Sequence, residues 1–201
     1  MHTYTLITHK KWVFLKRQQV LLIKLSVMMT IVLLLTGCSK TSTDIEEYLN
    51  TGTAMDAEAK DVMPALDELP AYRDIDYRHT QKKIFLFEAN SVALVVEYDM
   101  QTYESEKGKL EEDYIISNQK AASETSGDNS NPNVEFSLNS YVFRVLEGNG
   151  YPKSFGMVGT SDEHQRIAYL YFYDFDLDKI GELNDKNRMS KFVESYFDYD
   201  F

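Results

Sequence analysis

The chain has 201 residues, with 32 Asp and Glu against 21 Lys and Arg, and its formal net charge is −11. Phosphodiester backbones repel so acidic a chain, which excludes nucleic acid as a partner. Its single cysteine excludes an internal disulfide, and its length suits one domain.

The first 38 residues contain a basic segment, an apolar run and the cysteine, in that order. The basic residues are Lys10, Lys11, Lys16, Arg17 and Lys24. The apolar run over 25–35 has the length of an export signal and falls short of the roughly 20 residues that span a bilayer. It ends in Leu35-Thr36-Gly37-Cys38, which resembles the lipobox of bacterial lipoproteins, where the cysteine is acylated and becomes the mature N-terminus.

This resemblance implies a signal peptide over 1–37, a lipidated Cys38 within a short tether over 38–43, and a globular domain over 44–201. The protein is then expected at the cell membrane, lipid-anchored on its extracytoplasmic face. Since Ser39 rather than aspartate follows the cysteine, the family's sorting pattern implies the outer membrane in a two-membrane cell. The alternative is an uncleaved anchor, but Lys24 interrupts the longer apolar run that it would need.

Processing would also change the charge of the chain. The signal holds five of the 21 basic residues and none of the 32 acidic ones, so the mature chain carries 16 against 32, a net of −16. Anionic headgroups repel a domain this acidic. We therefore expect membrane contact through the acyl chains rather than through a basic face. Acylation would also consume the only thiol, so no thiolate cofactor or metal site is expected.

Three helices are predicted in the first two thirds of the chain. Capping-box spacing predicts a helix over 43–49. Apolar periodicity predicts another over 54–69, split at Pro64. Asp99 is the predicted N-cap of a helix over 100–118.

Strand signals begin in the middle of the chain. Residues 84–87 and 92–96 are predicted strands, joined by a tight turn at Ala89-Asn90-Ser91. Residues 121–133 contain no large apolar side chain and are predicted to form a flexible loop.

The last third of the chain contains more strands and a helix. Strands are predicted over 134–138, 141–146, 155–160 and 166–173. Both faces of the last of these are apolar, which predicts an interior strand. A clear amphipathic stripe predicts a helix over 187–197. The order of elements predicts a single α+β domain, with a mostly antiparallel sheet of about six strands and N-terminal, central and C-terminal helices.

Three aspartates, Asp174, Asp176 and Asp178, follow the aromatic strand. Carboxylates at this spacing are candidate calcium ligands, since hard cations need several oxygens at close range. An EF-hand loop would need glycine where Lys179 stands and glutamate where Asp185 stands. The alternative is a strand end with solvated acids.

The segment over 148–159 is rich in glycine but lacks the spacing of a phosphate-binding loop. Within it, Tyr151, Lys153 and Ser154 are the candidate binding residues, because they offer both stacking and hydrogen bonds beside an aromatic strand. Beyond the last predicted helix, Tyr199 and Phe201 either tuck back or form an exposed patch.

The sequence contains no recognisable catalytic set. Neither His79 nor His164 has a zinc-ligand pattern, and no Gly-x-Ser-x-Gly motif occurs. We therefore predict a non-catalytic binding module that recognises an envelope protein or wall component, with no cofactor. One alternative is a lipoprotein that binds calcium or a small ligand. Another is an envelope hydrolase whose site is assembled from residues such as Glu135, Asp162 and His164.

Overall fold

The structure, a computed structural model, describes residues 24, 26, 38–49, 55–84, 87–124, 135–146, 151–174, 177 and 188–201. Its contacts divide the chain into two units, residues 1–38 with 84–86 and residues 39–83 with 87–201. The first unit lies almost wholly outside the described residues. The second unit contains the elements set out below, except for their terminal residues Cys38 and Ile84, which belong to the first unit.

Within the described residues, seven strands form one antiparallel sheet, in the order β1-β2-β3-β7-β6-β5-β4. They are β1 (Cys38–Ser42), β2 (Asp74–Ile84), β3 (Phe87–Glu97), β4 (Glu135–Leu138), β5 (Tyr141–Leu146), β6 (Ser154–Ser161) and β7 (Arg166–Asp174). The predicted single α+β domain is confirmed, with seven strands in its sheet. Strands β4 to β7 lie within two residues of their predicted bounds.

Strand β7 lies in the middle of the sheet, between β3 and β6. Because side chains alternate along a strand, its residues divide between two apolar clusters. One cluster contains Ala168, Leu170 and Phe172, and the other contains Ile167, Tyr169 and Tyr171. We call these sides the phenylalanine face and the tyrosine face. The prediction of an interior strand is confirmed.

Each face of the sheet has its own cover. Helix α3 (Arg188–Phe197) buries Met189, Phe192, Val193 and Phe197 against the phenylalanine face, as its amphipathic spacing predicts. Burial of each large side chain contributes about 1.5–3 kcal/mol. Helices α1 (Met55–Ala59) and α2 (Met100–Glu124) contribute Ala59 and Tyr103 to the cluster on the tyrosine face.

Side chains of β2 and β3 satisfy the carbonyl groups at the C-terminal end of α3. The donors and their acceptor carbonyls are Lys82 to Ser195, Ser91 to Tyr196, Thr80 to Phe197 and Arg78 to Asp198. A helix leaves its last carbonyls without intrahelical partners, and positive charge is favoured there. The sheet therefore caps the helix that covers it.

The C-terminal residues tuck back onto the phenylalanine face. The Phe201 ring lies 5.2 Å from Phe143 and 5.6 Å from Tyr141, and Tyr199 lies 4.6 Å from Phe201. The side-chain amide of Asn139 donates to the Phe201 carbonyl at 2.7 Å. Of the two alternatives for Tyr199 and Phe201, packing against the core is the one observed.

Residues Cys38–Ser42, within the predicted tether over 38–43, form strand β1. A strand at the edge of a sheet can be short and polar, since it need not bury either face. The segment therefore lacks the apolar alternation by which sequence analysis recognises a strand.

The two predicted N-terminal helices are shorter than expected. A single 3-10 turn (Ile45–Glu47) stands in place of the helix over 43–49. Its N-cap is Asp44, whose carboxylate accepts from the Glu46 amide at 3.1 Å. Of the helix over 54–69, only α1 forms, and turns follow it. Pro64 disfavours a longer helix, because it lacks an amide hydrogen and clashes with the preceding turn.

The predicted turn at Ala89-Asn90-Ser91 is wrong, because these residues lie inside β3. Strand β2 ends at Ile84 and β3 begins at Phe87. Most of β2 was missed by sequence analysis because it is polar. Three of its polar residues, Arg78, Thr80 and Lys82, bind the end of α3, so polarity there does not indicate a loop.

The predicted cap of α2 is confirmed. The Asp99 carboxylate accepts from the amides of Gln101 and Thr102 at 2.9 and 3.0 Å. The helix continues to Glu124, so residues 121–124 of the predicted loop over 121–133 are helical. The rest of that loop lies outside the described residues.

Candidate functional site

The candidate lipidation site, Cys38, is the first residue of β1, and β1 is an edge strand of the sheet. Leu35, Thr36 and Gly37 lie outside the described residues. Among the helices that the structure describes, none is long and apolar enough to cross a membrane.

The candidate binding residues Tyr151, Lys153 and Ser154 do not form one surface. Tyr151 packs on the phenylalanine face, its ring 5.2 Å from that of Phe155. Ser154 belongs to the opposite side of β6, where its hydroxyl bonds the Tyr171 hydroxyl. The side chain of Lys153 is exposed, and its backbone carbonyl accepts a hydrogen bond from the Asp174 amide at 2.7 Å. The sheet thus separates Tyr151 from Ser154.

Of the candidate calcium ligands, only Asp174 is described; Asp176 and Asp178 lie outside the described residues. Asp174 is half-buried at the end of β7, opposite Ala89 of β3. Within the described part of the chain, no group of three or more His, Cys, Asp or Glu side chains could hold a metal ion.

The three residues considered for a hydrolase have separate partners. The Glu135 carboxylate binds the Arg144 guanidinium across the edge of the sheet at 3.0 Å. Asp162, in the turn between β6 and β7, accepts hydrogen bonds from α2. Nε2 of His164 lies 4.0 Å from the carboxylate of its neighbour Glu163. These contacts do not assemble the three residues into one site.

Four strands bring polar side chains together on the tyrosine face, near the end of β7. Asn90 of β3 is paired with Tyr173 of β7, and Tyr173 is paired with Ser154 of β6. On the other side, the Asn90 side-chain oxygen lies 3.4 Å from Nε2 of His79 in β2. We call these four residues, His79, Asn90, Tyr173 and Ser154, the polar row.

A carboxylate adjoins the polar row at Glu88. Glu88 accepts hydrogen bonds from Gln81 at 2.6 Å and from Asn90 at 3.3 Å, and the Lys83 ammonium lies 3.6 Å away. The hydrogen bond from Asn90, followed by that from Gln81, lowers the pKa of Glu88 below its usual value. The carboxylate is therefore ionised at neutral pH, and it already accepts hydrogen bonds from two side chains.

On its other side, the polar row is bounded by the cover of the tyrosine face. The Tyr171 hydroxyl donates to the Glu58 carboxylate of α1 at 2.9 Å. Val62 lies so close to Gly156 that a Cβ at that glycine would be 3.0 Å from the Val62 Cβ. Residues 58–62 therefore pack directly on β6 and β7, beside Ser154.

The polar row offers hydrogen bonds of several kinds. Imidazole, carboxamide, phenol and hydroxyl groups can both donate and accept. Asn90 is 2% exposed, whereas His79, Tyr173 and Ser154 are half-buried and reach the surface. Such a row suits recognition of a polar ligand. Sequence analysis missed it except for Ser154, although Glu88, Asn90, Val92, Leu94 and Val96 alternate as a strand with a polar end.

Comparison of the chain with protein-family models, with curated proteins and with solved structures found no match. The residues themselves therefore carry the functional argument.

Proposed function

We propose that the protein is a lipid-anchored lipoprotein of the cell envelope, whose domain is a non-catalytic binding module. The observation that carries the proposal is the sequence from the basic segment to Cys38, because export, cleavage and acylation each need one part of it. Several acyl chains on one cysteine hold a protein durably, whereas a single chain binds only marginally.

The position of Cys38 gives this anchor a structural consequence. Because the cysteine begins β1, acylation attaches lipid to the edge strand of the sheet itself. No long linker then separates the domain from the bilayer. The domain would bind its partner at the membrane surface.

The polar row supports binding rather than acid catalysis. A carboxylic acid that donates a proton near neutral pH needs a raised pKa, which burial and like charges provide. Hydrogen bonds from Asn90 and Gln81 lower the pKa of Glu88 instead. The ligand that we propose is an envelope protein or wall component with hydroxyl or amide groups to match the row.

Metabolic labelling with palmitate tests the anchor. The wild type should incorporate label and remain with the membranes. Cys38→Ala should lose the label and accumulate as the uncleaved precursor, because Cys38 is the only cysteine. Ser39→Ala is the matched control and should be processed normally. The anchor would be refuted if the wild type incorporated no label and if Cys38→Ala changed neither its processing nor its membrane association.

Crosslinking in intact envelopes tests the binding module. We expect the wild type to capture a specific envelope component. A Gln81→Ala/Ser154→Ala double variant, which removes half-buried polar groups from the row and its neighbour, should lose this capture. Lys109→Ala, at an exposed position on α2, is the control. Equal capture by all three proteins would exclude the row as the binding surface.

A further inference from the structure

Basic residues are concentrated at one edge of an otherwise acidic domain. Beyond residue 37 the chain has 16 Lys and Arg against 32 Asp and Glu. Strand β2 begins with Asp74 and Asp76, but its residues 77–84, together with residues 38–42 of the adjacent strand β1, reverse this ratio. They contain no acidic residue and the four basic residues Lys40, Arg78, Lys82 and Lys83, which we call the basic edge.

The contacts of Asp198 show which residues of the two strands lie near each other. Its carboxylate accepts from the Thr41 hydroxyl at 3.3 Å and lies 4.0 Å from the Arg78 guanidinium. Thr41 and Arg78 are therefore neighbours. Since the sheet is antiparallel, the chain from Thr41 back to Lys40 runs in the same direction as β2 from Arg78 towards Lys82 and Lys83. The four cations thus lie along one edge.

The cations of the basic edge differ in how far they are neutralised. Arg78 and Lys82 bind carbonyl groups at the end of α3, which fixes their positions, and Asp198 partly offsets Arg78. Lys83 is 61% exposed beside Glu88, and Lys40 is exposed. Lys40 and Lys83 are therefore the cations best placed to meet an outside anion.

We propose that the basic edge lies on the anionic headgroups of the membrane to which Cys38 is anchored. The inference rests on the proposed lipid anchor and revises the expectation that the acyl chains alone make membrane contact. Lys40 is two residues from Cys38, about 7 Å along an extended strand, so an anchor at Cys38 brings it to the bilayer surface.

Charge complementarity then sets the orientation of the domain. A surface of anionic lipids attracts nearby Lys and Arg side chains and repels the acidic remainder of the domain. Each cation strengthens the contact about fivefold, and the effect fades within a Debye length. The sheet edge would face the lipid, and the domain would no longer tumble freely on its anchor.

Lysine footprinting of the acylated full-length protein tests this orientation. The protein is reconstituted in vesicles of phosphatidylcholine alone or with phosphatidylglycerol, and the acetylation rate of each lysine is measured by mass spectrometry. We expect phosphatidylglycerol to slow Lys40 and Lys83 about fivefold, as for one cation held at the surface. Lys60 and Lys109 should not change. High salt should remove the difference.

Charge reversal provides the matched control. Phosphatidylglycerol should also slow the acetylation of Lys82, a member of the basic edge. Lys40→Glu/Lys83→Glu should abolish this slowing, whereas Lys60→Glu/Lys109→Glu should not. The pairs match because each contains one ion-paired lysine, Lys83 with Glu88 and Lys109 with Glu106. Lys40→Gln/Lys83→Gln, which neutralises without reversing, repeats the test should the reversal unfold the protein.

The outcomes separate the two proposals. Acylated protein whose Lys40 and Lys83 react equally in both vesicles would overturn the orientation and leave the anchor standing. Protein recovered from cells without any acyl mass on Cys38 would overturn both.

Discussion

The two faces of the sheet are both buried, but they are built from different residues. Among the described buried residues, the phenylalanine face has six phenylalanines and one tyrosine, whereas the tyrosine face has six tyrosines and no phenylalanine. A regular amphipathic helix, α3, covers the first face. Short helices and turns cover much of the second.

Hydroxyl groups explain how an irregular segment can cover the tyrosine face. Tyr48 donates to the Pro64 carbonyl at 2.9 Å, Tyr171 to Glu58 at 2.9 Å and Tyr103 to Asp162 at 2.5 Å. Each bond joins a buried ring to a turn or to a covering segment. The phenylalanine face depends on shape and ring packing, whereas the tyrosine face also depends on directed hydrogen bonds.

Alkaline pH should act more strongly on the tyrosine face, where burial raises the pKa of five tyrosines, than on the phenylalanine face, where it raises those of Tyr141, Tyr196 and Tyr199. Burial raises the pKa of Tyr98 to about 12 and also raises those of four other residues of the tyrosine face, Tyr48, Tyr103, Tyr169 and Tyr171. The stabilisation that comes from a raised folded-state pKa is fully present below pH 10, the ordinary tyrosine value. It is lost as the pH rises from there through the folded-state pKa. Each tyrosine contributes a loss of about 1.4 kcal/mol per pH unit.

Urea unfolding across this range, with tyrosinate absorbance recorded in parallel, measures the effect. We expect unfolding and tyrosine ionisation to coincide in one steep transition. A Tyr98→Phe/Tyr169→Phe variant should make it shallower. Gradual ionisation of a protein that stays folded would contradict the buried positions of these rings.

Truncation of Phe172 tests the phenylalanine face. Its ring is fully buried and lies 4.7 Å from Phe192 and 5.6 Å from Phe155. Phe172→Ala should lower the free energy of unfolding by about 3–5 kcal/mol, because it leaves a cavity under α3. The comparison is Tyr171→Phe on the tyrosine face, which keeps the ring and removes one hydroxyl, and should cost about 1 kcal/mol. Equal losses in urea titrations would refute the distinction between the faces.

Added volume tests the phenylalanine face in the opposite sense. A Cβ at Gly159 would lie 2.3 Å from the ring of Phe143, which is itself stacked on Phe136 and Tyr141. Gly159→Ala should therefore destabilise by about 1–3 kcal/mol through overpacking. Gly108→Ala, in α2 with open space around its Cβ, should instead stabilise by about 0.5–1 kcal/mol. A neutral Gly159→Ala in thermal unfolding would show that the ring of Phe143 is free to move.

The same contrast explains what the sequence predicts well. Helix α3 and strand β7 bury residues at regular spacing, so periodicity identifies them. Most of strand β2 is not predicted from the sequence, because Arg78 and Lys82 bind the end of a helix that lies more than 100 positions later in the chain. The polar row is not predicted for a related reason. Asn90 and Ser154 become neighbours of Tyr173 only through the register of the strands, which local sequence patterns do not reveal.

Asp162 provides the finest test of how the tyrosine face is held. It accepts hydrogen bonds from Lys107 at 2.6 Å and Tyr103 at 2.5 Å, and these, Lys107 first, lower its pKa below the usual 3.8. A lowered pKa stabilises the fold above pH 3.8, and this contribution disappears as pH falls through the folded-state value. Asp162→Asn should cost only about 0.5–1 kcal/mol, because the side chain is 69% exposed.

Thermal unfolding of wild type and Asp162→Asn as a function of pH measures this contribution. The two melting temperatures should differ at neutral pH and converge in acid, once the pH falls below the lowered pKa of the folded-state carboxyl group and the wild-type side chain also becomes neutral. Asp113→Asn, at an exposed position of α2, should melt at the same temperature as the wild type at every pH. A difference that persists into acid would mean that the Tyr103 hydroxyl binds the neutral group equally well, so that geometry rather than charge ties α2 to the turn after β6.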